Sequence, residues 1–114
     1  MIKYSIIIIN YKQEELIKKC ISSVYNIFKS STFEIIIINN SPENKLPEFN
    51  LPNIKIIETE NYGYANANNT GVKNAAGEYL FFLNADTEVK SDFLADFEQF
   101  FGEKKFGAVG LKLY

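Results

Sequence analysis

Four short apolar runs punctuate the chain, at residues 6–9, 35–38, 54–57 and 79–83, and each is continuous where a half-exposed strand would alternate. They are mostly β-branched or aromatic and bounded by polar residues, so they read as strands; continuous strands covered on both faces are the habit of a parallel sheet. Between the first two, Leu16, Cys20, Val24 and Phe28, flanked by Ile17 and Ile21, recur at helical spacing with Lys18, Lys19 and Asn26 on other faces, which predicts an amphipathic helix. Residues 41–53 hold all three prolines and cannot continue a helix or a central strand, so they form a loop. The small residues of 65–76 predict a second helix, with Gly77 as its C-terminal cap. Ser91 is expected to start a third, carrying Phe93, Leu94, Phe97 and Phe101 on one side. Residues 108–113 are a last candidate strand.

This β-α-β-loop-β-α-β-α-β order predicts an α/β fold, a doubly wound, Rossmann-like and mostly parallel sheet sandwiched by helices. Right-handed crossovers favour the strand order 3-2-1-4 with the last strand added. A sheet wound in this way opens a crevice beyond the carboxyl ends of strands one and four, where ligands of such folds bind. With 114 residues, no internal repeat and no linker, the chain is expected to be a single domain over 1–114.

Composition narrows the chemistry. A net charge of -2 and the lack of any Lys/Arg run exclude a nucleic-acid footprint. All 12 basic residues are Lys, so a phosphate must be held by lysine, backbone amides or a metal and not by an Arg fork. The absence of His removes imidazole bases, His-based metal sites and Ser-His-Asp triads. Cys20 has no partner for an internal disulfide and lies on the apolar stripe of the first helix, so it reads as a core residue in a reducing, cytoplasmic compartment. The apolar run at residues 6–9 is too short for a signal peptide, and no segment has the apolar length of a membrane span. Any contact with the inner face of a membrane is left to the surface of the chain or to residues outside it.

Polar residues follow three of the strands: Asn10 and Tyr11; Asn39, Asn40 and Ser41; and Asn84, Ala85, Asp86, Thr87 and Glu88. Asn and Asp start turns in any protein. Three such sets at a predicted crevice point further, to a ligand. A carboxylate closing a buried strand needs a partner, and a divalent metal, magnesium or manganese, would let Asp86, helped by Asn84 or Glu88, grip a diphosphate. Gly63 permits a tight turn into the second helix, whose N-terminal amides favour anions, and Ala65 and Ala67 allow close approach of the backbone. Lys73, nearly three turns along, reads as a solvated lysine. Tyr11 offers a ring face on which a base can stack.

Taken together these motifs resemble the family-two glycosyltransferases of the GT-A fold group, which includes bacterial rhamnosyltransferase-like members. Residues 5–11, SIIIINY, are similar to the first strand and nucleotide-binding turn of that family, and residues 34–41 to its second strand. NYGYANANNTG at 61–71 resembles its N-x-G-(aromatic)-A-x-x-N-N-x-G signature, and GEYLFFLNADT at 77–87 its fourth strand and metal motif. The likeness covers nearly the whole chain in the family's order.

The resemblance implies binding of a nucleotide-diphosphate sugar, with Asn10, Tyr11, Asn39, Asn40, Gly63 and Asn68 as nucleotide-binding residues. Asp86 and Asn84 would be the metal ligands, in an N-x-D form of the D-x-D motif. It further implies transfer, with inversion, to a saccharide or lipid-linked acceptor in surface polysaccharide or glycoconjugate synthesis. The chain departs from the pattern in three places. Asn84 replaces the first aspartate of the metal motif, and Ile38 or Asn39 stands where an aspartate usually meets the base. The family's general base is expected beyond Tyr114, so the chain is expected to stop before the acceptor-binding half. The rival expectation is a non-catalytic nucleotide-sugar-binding or interaction module. Exposed Phe93, Phe97, Phe100 and Phe101 would favour self-association as a homo-oligomer.

Overall fold

The computed structural model describes residues 2–28 and 32–101. The four leading apolar runs become strands β1 (Tyr4–Asn10), β2 (Phe33–Asn39), β3 (Ile54–Glu58) and β4 (Tyr79–Asn84). The helices are α1 (Glu14–Ile27), α2 (Tyr64–Lys73) and α3 (Phe93–Phe101). The sheet is ordered β3-β2-β1-β4 and every pairing is parallel. The candidate strand at 108–113 lies outside the described residues.

The register sorts the side chains of β1. Ile6 and Ile8 stand level with Ile35 and Ile37 of β2 and with Phe81 and Leu83 of β4, and they bury against α1 and α3. Ile7 and Ile9 share the other face with Ile36 and Ile38, where Ala67 of α2 covers them. Every residue of β1 and β2 is buried, as continuous apolar runs require. The outer strands differ from that expectation. In β3, Ile56 is 40% exposed, and in β4 Leu80 and Phe82 are 38% and 49% exposed. Both strands lie at the edges of the described sheet.

The expected display of phenylalanines on α3 is also corrected. Leu94 and Phe97 are buried, and Phe93 and Phe97 pack edge-on or tilted against Phe28, Tyr79 and Phe81. Apolar side chains turned outward include Leu80 and Phe82 of β4 and Val72 of α2. The side chains of Phe100 and Phe101 lie outside the described set. Cys20 is fully buried on α1, as a core residue should be.

Two caps differ from expectation. The third helix is capped by Asp92, whose Oδ1 accepts the Ala95 amide at 3.0 Å, and not by Ser91, one residue too early to reach a first-turn amide. Helix α2 ends at Asn74, not at Gly77. Gly77 serves a different need, because a Cβ there would lie 2.5 Å from Ser5 Oγ and 2.6 Å from the Ser5 backbone nitrogen. That close approach belongs to a buried polar knot at the amino-terminal end of the sheet. Glu34 Oε2 accepts from Ser5 Oγ and from the Ala76 amide, each at 2.6 Å, while Oε1 meets Lys55 Nζ at 3.2 Å. The Gly77 amide in turn donates to Ser5 Oγ at 2.8 Å. The knot ties β1, β2 and β3 to the turn that feeds β4.

Burial of Glu34 favours its neutral form, but the Ser5, Ala76 and Lys55 hydrogen bonds outweigh it and hold its pKa below the ordinary 4.5. A carboxylate lowered on folding stabilises the fold above its unfolded pKa and loses that contribution as pH falls through the folded value. Glu34→Ala leaves the Ser5 hydroxyl and the Ala76 amide without their acceptor, and should cost about 2–4 kcal/mol in urea unfolding at neutral pH. Relative to the unmodified protein, the loss should shrink as pH is taken below 4.5.

Candidate functional site

In a parallel sheet, the carboxyl ends of the strands and the N-termini of the following helices share one edge. Here that edge gathers Asn10 to Lys12 after β1, Asn39 to Ser41 after β2, Asn84 to Asp86 after β4, and Gly63 and Tyr64 at the start of α2. Helix α1 joins β1 to β2 on one face, whereas α2 crosses from β3 to β4 on the other. The chain therefore winds in opposite directions from β1, and the switch point lies between β1 and β4.

The ends of the two central strands are knotted together. Asn10 Nδ2 donates to Asn39 Oδ1 at 3.0 Å, and the same Oδ1 accepts from the Ser41 amide and the Ser41 hydroxyl, each at 3.3 Å. Asn39 Nδ2 donates to the Asn44 carbonyl at 3.2 Å, and Asn10 Oδ1 accepts the Gln13 amide ahead of α1. Asn10 and Asn39 are fully buried. Their amides satisfy one another because water does not reach them. Asn40 is turned to the other side, where its Oδ1 accepts from Thr59 Oγ1 at 2.7 Å. Ile38 is buried under α2, so Asn39, on the opposite face, is the polar residue that closes β2.

Around this frame stands an accessible rim. Tyr11 is 45% exposed, with Lys12 Nζ 5.2 Å from its ring centre. Lys12 has φ 56, the left-handed region, and its amide donates to Ser41 Oγ at 3.0 Å. Across the crevice, Gly63 has φ 100 and ψ 163, a combination essentially reserved for glycine, and it precedes a helix start with no side-chain cap. Eight residues on, Gly71 lets α2 sit down on β1, since a Cβ there would fall 2.6 Å from Ile7 Cγ2. Asn68 is half-buried next to Ala67. Lys73 is exposed at the far end of α2.

The metal motif is placed differently from the sequence expectation in one respect. Asp86 is exposed, so no desolvation cost demands a cation there. The reason is the turn after β4, closed by the Thr87 amide on the Asn84 carbonyl at 3.0 Å, which swings residue 86 clear of the strand and leaves Ala85 buried. Asp86 still belongs to the sheet edge. Burial first, and then the Asp86 carboxylate, push the pKa of the Cys20 thiol up to about 11. Asn84, level with Ile9, is also exposed, and its Oδ1 accepts the Tyr64 hydroxyl at 3.0 Å. Among the described residues no three carboxylate or thiol groups converge as a ready cation cage. What Asn84 and Asp86 present is a pair of solvent-facing oxygen donors, a set that suits magnesium or manganese when phosphate and water complete the shell. A shallow groove of about 490 Å³ between α1 and residues 88–90, lined by Lys18, Lys19 and Lys90, includes neither of them.

Residues 5–114, which carry these strand ends and helix starts, match the family model for glycosyl transferase family 2. The chain belongs to that family. It is 35% identical over 108 residues to poly-beta-1,6-N-acetyl-D-glucosamine synthase of Staphylococcus epidermidis, covering 87% of this chain and 26% of that protein. Its fold is that of Staphylococcus aureus TarS residues 1–349 solved with UDP-GlcNAc, at TM-score 0.72 and 24% identity over 90% of this chain and 32% of that one. It is also that of the mannosyltransferase PcManGT from Pyrobaculum calidifontis, solved with GDP-Man and Mn2+, at TM-score 0.74 and 20% identity over 90% and 33%. The chain spans 14% of the length of one curated relative it matches, and 31% of another.

For a family 2 domain, the sequence points to Asn10, Tyr11, Asn39, Asn40, Gly63, Asn68, Asn84 and Asp86, and the structure brings all but Asn68, which lies a full turn into α2, to one edge. Reading the sequence alone missed Lys12, whose backbone conformation leaves no composition signal, and the engagement of Tyr64 with Asn84, 20 positions apart. Two substitutions test the frame. Asn39→Asp sets a buried carboxylate oxygen against the Asn44 carbonyl and should lower unfolding free energy by about 1–3 kcal/mol. Gly63→Ala should cost about 1–3 kcal/mol through backbone strain alone, because nothing lies within 4 Å of the added carbon. Urea denaturation reads both.

Proposed function

We propose that this chain binds the nucleotide diphosphate of an activated sugar across the carboxyl edge of its sheet. In the whole protein the sugar then passes, with inversion, to the hydroxyl of a saccharide or lipid-linked acceptor. The observation that carries this reading is the convergence of the ends of β1, β2 and β4 with the uncapped start of α2. The related structures solved with UDP-GlcNAc and with GDP-Man and Mn2+ support it, as does the polysaccharide synthase among the relatives.

In this reading the buried Asn10–Asn39 knot fixes the floor of the nucleoside pocket. Asn40 and Asn68 border it, and Tyr11 supplies a ring face for the base. The free amides at the start of α2, brought forward by Gly63, face the diphosphate. Asp86 and Asn84 hold a divalent cation, which when bound neutralises charge on the departing diphosphate. The acceptor oxygen attacks the anomeric carbon as the bond to the diphosphate breaks, and a carboxylate outside the described residues takes the hydroxyl proton. We assign the reaction to the cytoplasm or the inner face of the membrane; among the described residues no helix is long and apolar enough to cross a bilayer.

Calorimetric titration of the chain with UDP, GDP and dTDP, with and without Mn2+, tests the reading. One of the three should bind, more tightly with the metal, and Asp86→Ala should abolish the metal-dependent gain while leaving metal-free binding in place. No binding by any of them, with or without Mn2+, would refute the assignment.

A further inference from the structure

Asn84 poses a chemical problem that an aspartate would not. A carboxylate has two equivalent oxygens and can offer either to a cation, but a carboxamide binds cations only through its single oxygen and repels them with its NH2 group. Turning the amide by half a revolution changes its shape little and exchanges ligand for non-ligand. Asn84 is exposed at the end of β4, so packing does not choose between the two orientations. A hydrogen bond favours one of them, because a phenolic hydroxyl, though able to do both, donates more readily than it accepts. The Tyr64 hydroxyl, from the first turn of α2, donates to Asn84 Oδ1 at 3.0 Å. A carboxamide oxygen has two lone pairs, so this bond leaves one for a cation while fixing the oxygen toward the start of α2.

We propose that Tyr64 is a positioning residue, its hydroxyl holding the Asn84 oxygen in the orientation a divalent cation needs. The inference rests on the metal-assisted reading of the edge and deepens it. Tyr64 is held for this task by the strained glycine that precedes it: the φ of 100 at Gly63 sets where the first turn of α2 begins, and with it where the ring reaches across to β4. The ring is itself 55% exposed, so its hydroxyl is not needed to satisfy a buried group, and the conservative variant Tyr64→Phe should fold normally. Outer-shell partners that orient a ligand commonly contribute about 10–100-fold to metal affinity.

The test is a comparison of Mn2+ affinities in two backgrounds. Binding is read from loss of the free Mn2+ electron paramagnetic resonance signal, with saturating UDP, GDP or dTDP, whichever binds. Tyr64→Phe should weaken Mn2+ about 10-fold or more in the unmodified background, with metal-free nucleotide affinity unchanged. In Asn84→Asp, where either oxygen serves, the same Tyr64→Phe change should leave Mn2+ affinity as it was. Equal Mn2+ affinity of Tyr64→Phe and the unmodified chain would overturn the positioning role and leave the metal reading standing. So would an equal loss in both backgrounds, which denotes a general effect on the edge, or a fall in metal-free nucleotide affinity, which denotes direct contact between hydroxyl and nucleotide. Failure of the unmodified chain to bind Mn2+ with any of the three nucleotides would overturn both readings.

Discussion

Two isoleucine-rich strands lie side by side with no exposed residue, and wherever they carry polar groups those groups must find partners inside the protein. That constraint organises the molecule at both ends of the sheet. At the amino-terminal end the answer is a charge, Glu34, held by Ser5, Ala76 and Lys55. At the carboxyl end it is a pair of carboxamides, Asn10 and Asn39, which satisfy one another and the loops that follow them. The first knot brings the chain back to β4 at the correct height, and the second gives the crevice a rigid floor.

The crossover through α2 then depends on two missing side chains. Gly71 lets α2 rest on Ile7, and Gly77 lets the turn after α2 touch Ser5. Both contacts involve β1, a strand with neighbours on both sides and helices on both faces. The glycines of the 61–71 signature thus divide their labour: Gly63 sets a backbone conformation at the crevice, whereas Gly71 sets the distance between layers.

Much of this was legible in the sequence. Continuous apolar runs predict strands and their burial correctly for β1 and β2, and the right-handed crossover rule gives the order β3-β2-β1-β4. Continuity was misleading at the edges, because a run such as residues 79–83 looks the same whether or not a second layer covers it; Phe82 is half exposed although Phe81 is packed. Capping was misread at Gly77 and Ser91 for a related reason. Glycine before a strand and serine before a helix are each common for more than one cause, and only contact with Ser5 or Ala95 tells the causes apart. At the site, the sequence offered candidate residues but not their environments. Asp86 follows an apolar strand by two positions, which suggests burial, yet a single turn places it in solvent.

The internal saturation of Asn39 has a consequence for anyone wishing to redesign the domain. Its carboxamide oxygen already takes three donors and its nitrogen is committed to Asn44, so this position is a keystone of the scaffold and a poor dial for tuning. On the proposed reading, altered ligand preference would have to be sought among solvent-facing neighbours such as Tyr11, where a library of replacements leaves the foundations undisturbed.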